Sequence, residues 1–368
     1  MNFEVKQLTP DKYNEWDDFC AQSRDAWFWH TSGWIDFIIS REPEALESRN
    51  LSFFVYHNIE IKAVVPLAIE THNQEDGNKA REFSFERWAI PSPVFGNDLH
   101  NTIKDREARD VVQDFVFGEI DRLARENKVK RASFNMSSLA PLLIDKKNGF
   151  NYLMKFGYND ISLNAQIIDL RKPIEELEAN LRRNHRRNIK KASDFKFRIY
   201  TEKDITREIF NAYKEMHHKA AGRKTRSNKT FELMYDWLRK GLAFLSVVEL
   251  NNNKIGFEYY NVYKNNVYGN SAANDPEFEE RFPIRHFLEW KSIQWMKSQG
   301  FSFYEIGLQQ YGTLFHDFPD KKQLDISHFK KGFGGFTVPW FAGEKYYDKD
   351  YFLKINKQRA DKYANFIE

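Results

Sequence analysis

The sequence predicts an α/β protein in which one order of elements occurs twice: a strand, two helices, three strands, a long helix and a strand. Short apolar runs indicate the strands, and apolar residues at steps of three and four indicate the helices. At 368 residues the chain exceeds the roughly 250–300 residues at which a single core stops growing. Two domains are therefore expected.

The elements of the first half follow from short apolar runs and one long amphipathic segment. Val111, Phe115 and Ile120 recur at helical spacing, so residues 105–126 should form a helix. Polar His57 and Asn58 separate two runs that are typical of strands. The predicted elements are a strand at 3–8, helices at 11–20 and 32–40, strands at 51–56, 61–69 and 83–90, a helix at 105–126, a strand at 131–136, a short helix at 142–156 and a strand at 161–170.

The second half repeats this order without sequence identity to the first. We place an N-terminal domain at residues 1–170 and a C-terminal domain at residues 195–368. The predicted elements of the C-terminal domain are a strand at 195–200, helices at 205–220 and 230–239, strands at 243–250, 254–263 and 266–273, a helix at 284–298 and a strand at 301–306.

A predicted basic linker helix over residues 171–194 joins the halves. Pro173 suits a first helical position, and the glutamates after it suit the positive end of the helix dipole. The dipole accounts for one or two cations at the far end of the helix, not for six within ten residues. We interpret this face as binding the phosphates of a nucleic acid or a large substrate, with a solvated helix face as the alternative. Its cations are Arg182, Arg183, Arg186, Arg187, Lys190 and Lys191.

The overall charge is distributed unevenly along the chain. Residues 1–169 contain 20 Lys and Arg against 27 Asp and Glu, whereas residues 170–368 contain 36 against 26. The basic second half therefore suits an anionic partner. Aromatic residues for base stacking are absent from the basic cluster, so contact with a phosphate backbone is expected rather than base reading, and DNA is not an expected partner.

Cysteine usage and hydropathy predict the compartment. The single cysteine, Cys20, cannot form an internal disulfide, which fits a reducing cytoplasm. The first residues lack the apolar region of a signal peptide, and no apolar run approaches the ~18 residues of a membrane span. We expect a cytoplasmic protein without a transmembrane segment, and peripheral contact with a membrane stays open.

The run KKGFGGF at residues 330–336 combines two lysines with three glycines. Glycine allows a positive φ and close approach of the backbone to a ligand. Lysine supplies a mobile charge for phosphate or carboxylate. The run is either a ligand-binding turn or a β-bulge before a terminal strand at 336–340.

Five segments, in order along the chain, resemble the Fem (FemABX) group of aminoacyltransferases, which are built from two domains of the GCN5-related N-acyltransferase (GNAT) type. The predicted order of elements is also that of the GNAT fold. The expected fold is therefore α/β, with two tandem GNAT-like domains whose mixed sheets are flanked by helices. The segments are HTSGWIDFI (30–38), RRNIKKA (186–192), AGRKTRS (221–227), PIRHFLEWKSIQWMKSQGFSFYEIG (283–307) and HFKKGFGG (328–335).

The resemblance implies transfer of an aminoacyl or acyl group to an amine of a large anionic cell-envelope precursor, peptidoglycan or surface polysaccharide. The donor would be aminoacyl-tRNA or an acyl thioester, with no bound cofactor. Residues 91–98 and 274–283 occupy the position of the GNAT pyrophosphate-binding loop but lack its glycine pattern, which argues against acetyl-CoA. The chain also lacks the coiled-coil insertion of the founding Fem members, which puts tRNA contacts through such an arm in doubt.

Acyl transfer to an amine needs a deprotonated nucleophile, stabilisation of the oxyanion and a proton for the leaving group. By the resemblance, Lys330 is the favoured catalytic residue, stabilising the oxyanion or holding donor phosphate. If the segment is strand-like, Lys331 points to the opposite face, so only one of the two lysines acts. Glu305, His328 and Tyr304 are candidate acid–base groups, each with a structural role as its alternative.

Further residues are candidates for substrate binding. Arg223 and Arg226 lie in a loop flanked by Gly and Ser, and guanidinium groups suit phosphate or carboxylate. Arg285 opens the long helix against the preference of the helix dipole, which suggests a ligand. The remaining candidates are Lys331, Gly334 and Trp34.

No metal site is expected, because His217 and His218 have no Cys or acidic partner at ligand spacing. The common hydrolase, zinc and nucleotide-triphosphatase motifs are absent. Two further hypotheses stay beside the Fem-type transferase. One is an N-acyltransferase on the same fold that uses acyl-CoA or an acyl carrier. The other is a non-enzymatic RNA-binding module that uses the linker helix.

Overall fold

A computed structural model describes residues 2–40, 47–74, 77–99, 103–146, 149–192 and 194–367. Its strands are β1 (Phe3–Gln7), β2 (Glu47–Asn50), β3 (Phe53–His57), β4 (Glu60–Val65), β5 (Ala68–Asn73), β6 (Lys79–Phe83), β7 (Ile90–Pro91), β8 (Val94–Phe95), β9 (Arg131–Asn135), β10 (Asn159–Asp160), β11 (Leu163–Asp169), β12 (Lys196–Tyr200), β13 (Ala243–Leu250), β14 (Asn253–Tyr263), β15 (Asn266–Asn274), β16 (Phe303–Gln309), β17 (Phe336–Trp340) and β18 (Ala342–Tyr346). Its helices are α1 (Tyr13–Gln22), α2 (Ser32–Ser40), α3 (Ile103–Glu126), α4 (Pro141–Lys146), α5 (Ile174–Ala179), α6 (Arg183–Lys190), α7 (Arg207–Ala221), α8 (Asn228–Arg239), α9 (Pro276–Glu279), α10 (Ile284–Ser298), α11 (Lys321–Lys331) and α12 (Lys349–Ile367).

The chain forms two compact units. The first contains residues up to 163 together with 312–319 and 339–368, and the second contains residues 164–311 and 320–338. Each unit contains a mixed sheet with helices, which confirms the predicted fold class. The predicted C-terminal domain ran to residue 368, whereas the structure groups residues 312–319 and 339–368 with the first unit. The reason is that β18 pairs with β9 of that unit.

The first unit contains two sheets. A four-stranded antiparallel sheet has the order β1-β3-β4-β8. A second sheet has the order β10-β18-β9-β6-β5-β2, with β7 paired to β9, and its β6 and β7 run parallel to β9. Apolar side chains from α1 and the first sheet form one core, including Trp16, Cys20, Phe54 and Val64.

The second unit contains one seven-stranded sheet of order β12-β13-β14-β15-β16-β11-β17. Tight turns join β13 to β14 and β14 to β15, with Asn251, Asn252, Lys264 and Asn265 all at positive φ, as short hairpin turns require. Apolar residues of α10 that recur at helical spacing pack on this sheet. They include Trp290, Ile293 and Met296, which contact the cluster containing Tyr260, Val267 and Tyr304.

The predicted single linker helix is wrong, because the structure has two short helices, α5 and α6. Arg182 separates them in an extended conformation, and its backbone N–H bonds to the carbonyl of Gly332 instead of continuing a helix. The run at 61–69 is likewise two strands, split before Ala68. The strand predicted at 83–90 is interrupted by a turn in which Glu86 and Arg87 have positive φ.

The KKGFGGF run begins in a helix and not in a strand. Lys330 and Lys331 form the last turn of α11, which the sequence analysis did not predict, and β17 follows at Phe336 as expected. Gly334 and Gly335 have positive φ and turn the chain between the two elements. A side chain at Gly335 would collide with the backbone of Ile167, so glycine is required for this close approach.

Candidate active site

The candidate site begins where two parallel strands of the second unit separate. The paired positions of β15 and β16 run only from Asn266–Phe303 to Tyr268–Glu305, although both strands continue beyond them. Each of the two strands has an irregular register at this level: Asn270 of β15 is skipped in the pairing with β14, and Ile306 of β16 is skipped in the pairing with β11. Such bulges bend strands. The carboxyl ends of β15 and β16 are therefore not hydrogen-bonded to each other. Gaps of this kind between parallel strands often form ligand sites.

Lys330 lies against β16 just beyond this separation. Its Nζ donates a hydrogen bond to the carbonyl oxygen of Leu308 at 3.4 Å. A Cβ atom at Gly307, which has a φ of 115°, would lie 2.7 Å from the same Nζ. The absence of a side chain at Gly307 is therefore what allows the amine to approach the backbone of the strand.

Helix α11 turns the two lysines in different directions. Asp320 and Gln323 form a capping box that fixes the start of this helix. At its other end Lys330 is half-buried, whereas Lys331 is exposed, with its Nζ 5.0 Å from the centre of the Tyr311 ring. Only one lysine of the pair therefore reaches the separated strands. Both lysines are helical, so strand alternation is not what separates their directions.

A buried group of charged and tyrosine side chains lies beneath the site. Nη2 of Arg285 is 2.5 Å from Glu258 Oε1 and 3.1 Å from Glu289 Oε2. The hydroxyl of Tyr304 donates to Glu289 Oε1 at 2.5 Å, and that of Tyr260 donates to Glu258 Oε2 at 2.5 Å. Glu258 is 1% exposed and Glu289 is 0% exposed, so both carboxyl groups depend on these partners.

This group shifts the ionisation of its members. Burial, reinforced by the charge of Glu258, raises the pKa of Glu289 to about 8. Burial and then Glu289 raise the pKa of Tyr304. Burial opposes the charge of Arg285, but Glu258 and Glu289 outweigh it and raise the pKa of the guanidinium. Arg285 is thus held by protein carboxyl groups, a structural engagement that the sequence analysis did not predict.

Glu258 and Glu289 were not among the site residues predicted from the sequence. Glu258 could have been singled out from the sequence, because it is the one charged residue within the otherwise apolar run IGFEYY. Glu289 stands four residues after Arg285, the spacing at which helical side chains pair. Neither observation by itself predicts that the residue is buried. The two carboxyl groups come together only because α10 packs on the sheet.

Helix α11 stands between two cavities. The larger, about 820 Å³, lies between α11 and the first turn of α10, and both Arg285 and Lys330 line it. The smaller, about 420 Å³, is lined by Lys331, His328 and Tyr311. Most of the surface that lines the larger cavity is apolar, although its other residues include acids as well as cations: Glu279, Phe282, Pro283, Ile284, His286, Lys321, Lys322, Asp325, Ile326 and Phe329.

The approach to α10 differs from a phosphate-binding loop. Residues 274–283 contain no glycine and form the short helix α9, which the side chain of Asp275 caps by accepting from the Glu277 amide. Glu279 faces the larger cavity. A carboxylate at this place repels phosphate, and weak binding of pyrophosphate here stays a prediction.

The basic cluster forms an exposed surface on α6. Arg183, Arg186, Arg187 and Lys190 are exposed, and Arg182 is half-buried just before the helix. The opposite side carries His185, whose Nε2 lies 2.9 Å from the carbonyl oxygen of Phe329 in α11. Burial, then Arg182, outweigh that contact and lower the pKa of His185.

The other predicted site residues divide into two groups. Glu305 is 3% exposed and lies close enough to Lys330 to oppose the lowering of its pKa, and His328 is exposed on the far side of α11. Arg223 is exposed, while Nη1 of Arg226 lies 3.2 Å from the sulfur of Met234. The structure does not bring these two arginines to Lys330 by any described contact.

Gly334 and Trp34 both make contacts with other protein groups that account for them structurally. The carbonyl of Gly334 accepts a hydrogen bond from Gln166 Nε2 at 2.5 Å, and a Cβ there would lie 2.9 Å from that of Asn180. Trp34 belongs to the first unit, where its ring is 4.4 Å from Trp29 and stacks on Phe37.

Two kinds of feature are absent from the described residues. No group of three or more His, Cys, Asp or Glu side chains in the described ranges could hold a metal ion. None of the helices formed by these residues is long and apolar enough to cross a membrane.

Comparison with known proteins agrees with this architecture. Residues 179–318 match the family model described as an acetyltransferase (GNAT) domain. FemX has the same fold, with a TM-score of 0.60 at 16% identity over 96% of this chain and 100% of that chain. L-PGS from Bacillus licheniformis has a TM-score of 0.53 at 13% identity over 96% and 97%. No curated protein matches by sequence.

A third similar structure is the C-terminal domain (DUF2156) of a protein from Agrobacterium fabrum that is provisionally named lysylphosphatidylglycerol synthetase. Its TM-score is 0.53 at 13% identity over 94% of this chain and 95% of that chain. The family-model match indicates an acyltransferase (GNAT) domain over residues 179–318. Residues 179–318 are therefore similar to a GNAT domain, and the chain as a whole has the fold of FemX.

Proposed function

We propose that this protein transfers an aminoacyl group to an amine of a large anionic cell-envelope precursor, with Lys330 as a catalytic residue. The observation that carries the proposal is the position of Lys330 Nζ, against Gly307 and the Leu308 carbonyl where β15 and β16 separate. An acyl carbonyl placed in this gap would meet a cation and backbone groups of the strand ends, which suits acyl transfer.

The basic surface supports aminoacyl-tRNA as the donor. Four exposed cations on one short helix suit a phosphate backbone. That helix is joined to α11, the helix of Lys330, through His185 and through the amide of Arg182. An RNA held by α6 would therefore lie next to the helix that carries the catalytic lysine. The fold relatives FemX and the Agrobacterium fabrum domain favour an aminoacyl group as the transferred moiety.

The proposed chemistry is direct attack without a covalent enzyme intermediate. The acceptor nitrogen bonds to the carbonyl carbon of the donor, and the bond from that carbon to the donor oxygen then breaks. Glu305 is a candidate for orienting the acceptor amine, since it is buried beside the site. We place the reaction in the cytoplasm, which agrees with the buried free thiol of Cys20.

An acyl thioester is the second candidate donor, and the larger cavity favours it. The mostly apolar lining beside Lys330 and Arg285 would accommodate an acyl chain or a pantetheine arm. The absence of glycine and the presence of Glu279 before α10 count against a bound pyrophosphate. An acyl carrier without that group is the better form of this donor.

The test is binding of charged and uncharged tRNA at two salt concentrations. The wild type should prefer charged tRNA, with a steep salt dependence. Arg183/Arg186/Arg187/Lys190→Ala should lose binding by roughly 10²-fold or more, because four phosphate contacts disappear. A control with the same loss of charge at scattered exposed sites, Lys203/Lys229/Lys240/Lys349→Ala, should bind nearly as the wild type does.

Transfer to an amine acceptor is then measured with charged tRNA and with acyl thioesters as separate donors. Product from charged tRNA alone supports the aminoacyl proposal. Product from a thioester alone, with equal tRNA binding by the two fourfold variants, would contradict it.

A further inference from the structure

The surroundings of Lys330 differ from those of a lysine held as a permanent cation. Its ammonium group has one hydrogen bond, to the carbonyl of Leu308, and within the described part of the chain no carboxylate forms an ion pair with it. It is also half-buried and lines a largely apolar cavity. Burial without a directly ion-paired carboxylate disfavours a charged amine.

Charged groups face Lys330 from three neighbouring elements. Arg285 and Glu289 come from α10, Glu305 from β16 and Glu258 from β14. Arg285 is fixed in place, because its Nη2 contacts carboxyl oxygens of both Glu258 and Glu289. The tyrosines engage the same two carboxyl groups, so these are already committed to partners other than the lysine.

We propose that Lys330 carries the proton of the transfer reaction, and that Arg285, clamped by Glu258 and Glu289, is a positioning residue that prevents the amine from being fixed as an ammonium ion. This inference rests on the proposed function and specifies the role of its catalytic residue. A fixed cation for the oxyanion is the alternative that the experiment below must exclude.

The proposed step needs no proton source or acceptor other than Lys330 and the two substrates. The acceptor nitrogen attacks the donor carbonyl, and as the C–N bond forms the nitrogen gives one proton to the neutral Nζ of Lys330. When the tetrahedral intermediate collapses, the bond from carbon to the leaving oxygen or sulfur breaks. Lys330 then gives the same proton to that leaving atom and returns to its neutral form.

The electrostatics agree with this role. Burial lowers the pKa of Lys330, and the neighbouring guanidinium of Arg285 lowers it further, against the opposing effect of Glu305, Glu289 and Glu258. A general acid–base group is most effective when its pKa lies near the working pH. Arg285 supplies a charge that cannot itself be titrated away.

The first test needs no substrate. Lysines are reductively methylated with ¹³C, the Lys330 signal is assigned with a Lys330→Arg variant, and its titration is compared with that of exposed Lys240. Lys330 should titrate at lower pH than Lys240. Its midpoint should rise in Arg285→Gln/Glu258→Gln, which removes a cation together with one carboxylate and so keeps the buried charge balanced. A Lys330 that titrates with Lys240, or an unmoved midpoint in the double variant, would overturn the proposal.

The second test separates a proton carrier from a fixed cation. Arginine keeps the positive charge but does not release a proton. Lys330→Arg should therefore lose about 10²-fold or more in turnover, as Lys330→Ala does, while its thermal unfolding stays cooperative. An active Lys330→Arg enzyme overturns the proton-carrying role alone. A wild type that transfers from neither charged tRNA nor acyl thioester overturns the proposed function, and the proton-carrying role falls with it.

Discussion

The backbone amide of Arg182 donates a hydrogen bond to the carbonyl oxygen of Gly332 at 2.9 Å, and this bond joins the start of α6 to the end of α11. His185 adds a ring contact to the same turn, because it packs on Phe333 with centroids 4.6 Å apart. The exposed cations of α6 and the amine of Lys330 therefore belong to helices that share one joint. Changes at this joint should affect RNA binding and turnover together.

The first prediction concerns Gly332→Ala. A Cβ at this position would collide with the ring of His185, so α6 must shift away from α11. We expect a loss of about 1–3 kcal/mol in the free energy of unfolding, as for other overpacked sites, together with lower turnover and weaker tRNA binding. Urea unfolding and tRNA titration measure the two effects.

The matched control for that change is Gly118→Ala in the middle of α3, where a Cβ meets no atom within 4 Å. Alanine in a helix interior should raise stability by about 0.5–1 kcal/mol. If Gly332→Ala is as benign as this control, the joint does not constrain α6.

The second prediction concerns Gly307→Ala, which places a methyl group 2.7 Å from the present position of Lys330 Nζ. Turnover should fall by at least tenfold, because the amine must leave the strand. Gly300→Ala is the control, since Gly300 also has a positive φ but its Cβ would meet nothing within 4 Å. Both variants should lose about 1–2 kcal/mol through backbone strain, and only Gly307→Ala should lose activity. Equal activity of the Gly307→Ala and Gly300→Ala variants would show that the position of Lys330 does not matter for catalysis.

The third prediction is an alkaline loss of stability due to Glu289. Its pKa is about 8 in the folded protein, above the ordinary value of 4.5, so the folded state binds more protons than the unfolded state between these values. The free energy of unfolding should therefore fall as the pH rises toward 8, by an amount of the order of a few kcal/mol. Glu289→Gln should flatten that slope in urea unfolding between pH 6 and 9. A slope equal to that of the wild type would show that another group titrates.

The fourth prediction is an acid loss of stability due to His286. Burial, and then the neighbouring His185, lower the pKa of His286 to about 4. Here the unfolded state takes up the proton first, so stability is full above pH 6.5 and declines as the pH falls toward 4. We expect a decline of the order of 1–2 kcal/mol, after allowance for the partial exposure of the ring. His286→Gln should reduce the decline in melting temperature between pH 7 and 5, and an unchanged decline would assign it elsewhere.

Elements with a strong local pattern were predicted closely. The bounds of α10, Ile284–Ser298, and of β13, Ala243–Leu250, agree with the prediction, because apolar spacing and flanking Gly or Pro define both. Helix α11 was missed, since its sequence KKQLDISHFKK has few apolar residues and a single buried position. Its order comes from the capping box and from packing beside β16, which a local pattern does not contain.

The site was predictable only in part. The resemblance directed attention to Lys330, and Arg285 was suspected because a cation opposes the dipole at a helix start. The partners that explain Arg285 lie 27 residues before it and four after it, at Glu258 and Glu289. Burial of a charge depends on which strand lies below which helix, so this pairing requires tertiary structure.

The position of β18 has a consequence for how the protein is made. This strand, Ala342–Tyr346, lies between β10 and β9 in the larger sheet of the first unit, so residues far apart in the sequence must meet before that sheet is continuous. Such distant pairings slow folding. During synthesis, the larger sheet of the first unit stays incomplete until residues 342–346 have left the ribosome. The second unit ends at residue 338, so all of its residues are available for folding before that sheet can be completed.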